Sequence, residues 1–208
     1  MSINYDKIAN NYDWISRIVF GKALINAQLY LLNYIENDCD VLIVGGGTGW
    51  ILEALSTMKK GGLHIDYVES SAKMMELSQK RTYSPNQVQF INMPIEKYVT
   101  SKRYDVIITP FLFDNFTIEK ISLVFSLLNQ MLIRNGLWLY ADFTYIKSTS
   151  PFWQKILLKS MYLFFRLTAN IETDKLVDMS PFFGPTFQQV SEKVFYQKFI
   201  KAIVFKKC

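Results

Sequence analysis

Two short stretches carry the residue types and spacing that could do chemistry. From Val41 to Leu55 the chain reads VLIVGGGTGWILEAL, and four of its nine glycines fall at 45, 46, 47 and 49. Glycine reaches positive φ without a Cβ penalty and lets a ligand come close to the main chain. An apolar strand, a glycine turn and a helix N-terminus together present free N–H groups and a positive dipole end. That is an arrangement for an anion or a nucleotide. The second stretch, LHIDYVE, ends on Glu69. A carboxylate at the end of a second strand can accept hydrogen bonds from both hydroxyls of a ribose. Alone, such an acid reads as a solvated strand end; beside the glycine loop it reads as a ribose ligand.

Other chemistries lack their residues. The dinucleotide fingerprint needs glycine at the sixth place of its loop, where Trp50 stands. A P-loop would need Gly-Lys-Ser/Thr, which is missing. YVTSK, from Tyr98 to Lys102, spells a dehydrogenase pair but lies too early in the chain to act as one. With one histidine, His64, and two cysteines, Cys39 and Cys208, no metal site is expected. The net charge of +5 is dispersed, with no basic run longer than a pair such as Lys206–Lys207, so no nucleic-acid stripe forms. A polar N-terminus and unpaired cysteines fit a cytoplasmic protein. The most apolar stretch, residues 156–167, is broken by Lys159 and Arg166 and is too short to span a bilayer.

These residues need a scaffold, and the hydrophobic pattern supplies one. Residues 13–36 read as mostly helical. Strands are expected over 41–44, 63–69, 87–92, 104–109 and 137–143. Helices follow at 50–58, 70–81 and 118–133, the second capped by Ser70 or Ser71 and the third stopped by Asn135–Gly136. Strands alternating with helices imply a parallel sheet covered on both faces. The last segment, from Phe187, reads as an antiparallel hairpin. In such a sheet the ligand sits at the carboxyl ends of the strands, which gathers Gly45–Gly49, Glu69, Asn92 and Thr109 on one rim.

The stretches VLIVGGGTG, YVESSAKMMELSQKR, VQFINMPIEKY, YDVIITPFLFDNF and NGLWLYADF resemble, in order, the motifs of class I S-adenosylmethionine-dependent methyltransferases. The opening YDKIANNYDWISRIVFG is similar to the helical cap of the ubiquinone/menaquinone-biosynthesis group. The resemblance implies an α/β, Rossmann-like three-layer sandwich with a seven-stranded, mostly parallel sheet and an antiparallel last strand. It implies one domain: a cap over 1–38, a cofactor core over 39–143, a helical insertion over 144–186 and a hairpin over 187–208. The implied cofactor is S-adenosyl-L-methionine, leaving as S-adenosyl-L-homocysteine. Gly45, Gly46 and Gly47 would pass close to it, Glu69 would hold its ribose, and Ser70 would lie beside the adenosine. Asn92 and Met93 would meet the adenine, Thr109 and Pro110 would lie near the transferable methyl, and Tyr12, with Tyr5, would close over it. The chain departs from the family in having Asn92-Met93-Pro94 where Gly-Asp-Ala is common, so an adenine contact falls to Asn92, backbone or water. RNG replaces the usual PGG before strand five and still reads as a turn.

In-line methyl transfer from a sulfonium asks mainly for positioning and exclusion of water. A general base is needed only if the acceptor loses a proton; Asp114, Asp142 and Tyr140 are the rim candidates, and sequence does not choose among them. PFWQKILLKSMYLFFRL, residues 151–167, reads as an added helix over the rim. Its rings, Phe152 and Trp153, with Phe111 and Phe113 from the fourth-strand loop, point to a small hydrophobic or aromatic acceptor. The same face allows a dimer or a membrane-surface contact. A non-catalytic cofactor-binding protein and a nicotinamide-dependent oxidoreductase remain the alternative classes.

Overall fold

A computed structural model describes residues 5–58, 60–145, 148, 150–169, 171, 173 and 175–208. Its frame is one seven-stranded sheet. The strands are β1 (Asp40–Val44), β2 (His64–Glu69), β3 (Gln87–Asn92), β4 (Tyr104–Pro110), β5 (Leu132–Phe143), β6 (Phe187–Phe195) and β7 (Ile200–Lys207). Their spatial order is β3-β2-β1-β4-β5-β7-β6. The first five run parallel; β7 pairs antiparallel with β5, and β6 with β7. Strand order reverses between β1 and β4, so a crevice opens at their carboxyl ends.

Alternation along β1 shows why both faces are covered. Leu42 and Val44 join one buried cluster with α5 (Ile118–Met131); Val41 and Ile43 join the other with α2 (Ala23–Leu32) and α3 (Trp50–Thr57). Central parallel strands are therefore apolar toward both faces. Ser71 caps α4 (Ala72–Gln79) by accepting from Met74 N, and Thr117 caps α5 by accepting from Lys120 N.

Two boundaries differ from the sequence reading. The helix expected to Ile133 ends at Met131, and β5 begins at Leu132 rather than at Leu137. Asn135 takes φ +63° inside the strand, and the register with β4 shifts between Tyr104 and Val106. The RNG turn is thus absorbed into β5 as an irregularity in its ladder, the local deformation that an extra residue in a strand produces.

Above the sheet's carboxyl rim lie α1 (Ala9–Phe20) and α6 (Phe152–Ala169), while the short α7 (Ser180–Phe183) leads into β6. Among the described residues no helix is long and apolar enough to cross a membrane. Among them, too, no group of three potential ligands gathers to hold a metal.

Candidate active site

The crevice at the β1–β4 reversal deepens into a cavity of about 370 Å³. Its floor is the loop after β1. Tyr67 of β2 lies beneath that loop and donates its hydroxyl proton to Gly47 O at 2.9 Å. A Cβ on Gly46 would stand 2.4 Å from the Tyr67 ring, so the close packing demands glycine there. Gly47 itself has φ +63°, and the direction its Cβ would take meets only Met74 Sδ at 3.7 Å. That open side faces the cavity, and Gly45, Gly46, Gly47 and Thr48 all line it.

Glu69 is nearly enclosed. Its Oε2 accepts from Gly47 N at 3.1 Å and its Oε1 from Ser71 N at 2.9 Å. Burial pushes its pKa up, and these amide donors pull against that. The carboxylate is therefore oriented in advance, at the edge of the cavity, by the two loops it joins.

The roof comes from the N-terminal segment, and here a repeated Tyr-Asp pair matters. Tyr5 and Tyr12 face the cavity. Tyr5 donates to Asn115 Oδ1 and packs edge-on against Tyr12 and Phe165. The aspartates make the clasps. Asp6 accepts from Ser71 Oγ at 2.5 Å and Lys73 N at 3.0 Å, at the start of α4. Asp13 accepts from Thr48 Oγ1 at 2.8 Å and from Arg81 Nη2 at 2.7 Å. Arg81 also donates to Thr48 O at 3.1 Å and pairs with Glu53 at 3.0 Å. Sequence reasoning named the tyrosines and missed Asp6, Asp13 and Arg81. The signal was present: Tyr-Asp recurs seven residues apart, Tyr5-Asp6 just before α1 and Tyr12-Asp13 within it.

Beyond the glycine loop the cavity becomes apolar. Ile15 and Val19 of α1, Leu24 and Ile25 of α2, Phe111 and Leu112 after β4, and Leu157, Met161, Phe164 and Phe165 of α6 line it. Asp114 lines the cavity too. Its Oδ1 accepts from Asn115 Nδ2 at 2.7 Å. Behind it Asp142 accepts from Asp114 N at 3.2 Å and from Phe143 N at 2.8 Å. Burial, then the charge of Asp142, raises the Asp114 pKa well above the carboxylate range. Burial pushes Asp142 up to about 7, against the pull of backbone N–H groups. Both carboxyls are thus pushed toward their protonated forms.

The structure sorts the residues named from sequence. Tyr12, Gly45, Gly46, Gly47, Glu69, Ser70, Met93, Pro110 and Phe111 share the cavity wall. Five do not. Asn92 turns its amide back to donate to Glu69 O at 2.8 Å. Thr109 is fully buried and accepts from Trp138 Nε1 at 2.9 Å. Phe113 is in the core against Trp138 and Tyr140. Trp153 packs on Tyr196 and Phe199, and Phe152 is exposed. Tyr140 is buried behind Phe113 and Phe183. Tyr98 and Lys102 bond to Asp66, at 2.8 and 3.4 Å, in a cluster with Tyr104 away from the cavity.

The fold agrees with the comparisons. Residues 41–136 match the family model described as a methyltransferase domain. The malonyl-[acyl-carrier protein] O-methyltransferase of Halalkalibacterium halodurans is 30% identical over 150 residues, 67% of this chain. The chain spans about half, 53%, of the length of that curated relative. The mitomycin 7-O-methyltransferase MmcR superposes with a TM-score of 0.70 at 10% identity, over 99% of this chain and 61% of that one. The magnesium protoporphyrin IX methyltransferase of Synechocystis PCC 6803, solved with S-adenosylhomocysteine, gives 0.63 at 16% identity, over 89% and 82%. At these identities the structural likeness speaks for the fold.

Proposed function

We propose that the chain transfers a methyl group from S-adenosylmethionine to a small, largely apolar acceptor. One observation carries the reading: one cavity is lined by the Gly45–Gly47 loop and Glu69, by apolar side chains of α1, α2 and α6, and by Asp114. The residues fit the cofactor. The open side of Gly47 admits a ligand against the backbone, and Glu69 stands ready for a ribose diol. Ser70, Met93 and Pro110 line the same cavity; in this reading the first two flank the adenosine and the third borders the methyl end. S-adenosylmethionine, when bound, supplies an already activated methyl group.

The chain's own residues then orient and enclose. Tyr5, Tyr12 and α1 cover the loop and keep water out, which favours a displacement between a cation and a nucleophile. Leu157, Met161 and Phe164 hold an apolar acceptor by shape. Asp114 accepts the proton that a hydroxyl or phenol acceptor must lose, and Asp142 sets when it is free to do so. The relative's acceptor, a malonyl group on a carrier protein by its name, and the small-molecule acceptor named for MmcR support a carboxyl or hydroxyl group as the atom's source. The test is calorimetry with S-adenosylhomocysteine and NADH side by side. Binding of the first alone is expected; binding of NADH in preference would replace this reading with an oxidoreductase.

A further inference from the structure

α6 has two uses, and the cavity accounts for only one. Leu157, Met161, Phe164 and Phe165 turn inward to the chamber, while Trp153, Leu158 and Tyr162 pack on the cores. The outward face is no ordinary solvated face. Phe152 is 73% exposed, Ile156 52%, Leu163 60% and Leu167 69%. At about 100° per residue these four fall in one strip roughly 60° wide. Lys155, Lys159 and Arg166 form the adjoining strip. All three are exposed, and the helix contains no acidic residue. Among the described residues none of the three stands in an ion pair.

We infer that α6 docks the protein on an anionic lipid bilayer surface, with its apolar strip among the acyl chains and its basic strip on the headgroups. An apolar strip with a purely basic flank is the complement of that interface. The net charge of +5 acts in the same direction. A second copy of the chain fits less well. A two-fold partner laid on the apolar strip would bring its own Lys155, Lys159 and Arg166 against the same basic flank. α1, which also walls the cavity, exposes Trp14 and Ile18 one turn apart, with Arg17 beside them. The helix that would meet lipid is thus the wall of the acceptor chamber. The surface inference stands on this geometry whether or not the chain transfers methyl groups.

Co-sedimentation with vesicles tests it, using phosphatidylcholine alone and phosphatidylcholine mixed with phosphatidylglycerol. The chain is expected to pellet with the mixed vesicles, at least tenfold more strongly than with the neutral ones, and to be released by salt. Lys155→Glu with Lys159→Glu should abolish the preference. Leu163→Ser with Leu167→Ser should weaken binding at every salt concentration. Both pairs are exposed, so thermal melts and binding of S-adenosylhomocysteine should stay as in the wild type. Failure to pellet with anionic vesicles, or equal pelleting by the variants, overturns the inference. So does a wild-type dimer in analytical ultracentrifugation that Leu163→Ser with Leu167→Ser converts to monomer.

Discussion

Glu69 and Gly47 meet through a hydrogen bond from the Gly47 amide to the Glu69 carboxylate, and the two residues predict different failures. Glu69→Ala removes a charged acceptor from a buried rim. Affinity for S-adenosylhomocysteine should fall by roughly 1.5–3 kcal/mol, the scale of hydrogen bonds to a charged group, while the fold survives. Unchanged affinity by calorimetry would take Glu69 out of the site. Gly47→Val places a β-branched residue at φ +63° and fills the open side of the loop. Binding should be lost through strain and obstruction; a folded variant that binds normally would sink the loop assignment. Both residues were legible in sequence because their roles are local: a glycine turn and a strand end leave marks in the residues themselves. Thr109 and Phe113 were not. Thr109 stands at the carboxyl end of β4, yet strand alternation sends its hydroxyl under the sheet to Trp138. Phe113 sits in a one-turn 3-10 helix, residues 113–115, whose phase no sequence period sets.

At the scale of elements, α6 shows what composition conceals. Its apolar residues surround the helix, so the sequence could not say which ring meets the cavity, which meets the core and which meets solvent. Rings alone suggested Phe152 and Trp153. The structure gives the chamber to Leu157, Met161 and Phe164 instead. Two substitutions should therefore separate. Trp153→Ala leaves a gap against Tyr196 and Phe199 and should lower stability by roughly 2 kcal/mol, less than a fully buried aromatic costs, with little change in methyl transfer by the folded protein. Met161→Ala should raise the acceptor KM several-fold while leaving affinity for S-adenosylhomocysteine intact. The reverse pattern, in melts and steady-state kinetics, would return the acceptor to Trp153. The lid is the other element sequence saw incompletely. Its tyrosines stood out, but the Asp13–Thr48–Arg81 clasp joins three elements and exists only once the chain has folded.

Across the whole molecule the sheet was the most legible feature, because alternating strands and helices admit few topologies. What no sequence pattern announced is that the turn after β4 donates its Asp114 amide to the carboxylate of Asp142, near the end of β5. The two acids are far apart in the chain, and the pairing of β4 with β5 makes them neighbours. Their burial ties global stability to pH. In the unfolded chain both titrate near 4; in the fold Asp142 is pushed up to about 7 and Asp114 is raised well above its ordinary value. Between those limits the folded state binds more protons than the unfolded state. A raised carboxyl pKa contributes its full share below about pH 4 and progressively opposes folding as pH rises through the folded values. Urea unfolding should therefore give a less stable protein at pH 8 than at pH 5, by a difference on the order of a few kcal/mol from this pair. Asp142→Asn removes one of the two charges and should flatten the slope. It also relieves the repulsion on Asp114, so the ascending acid limb of methyl transfer, set by deprotonation of that base, should appear at lower pH in a folded Asp142→Asn protein. A wild-type stability that rises from pH 5 to pH 8, or an unchanged slope in the variant, would show that the two carboxylates are both ionised in the fold.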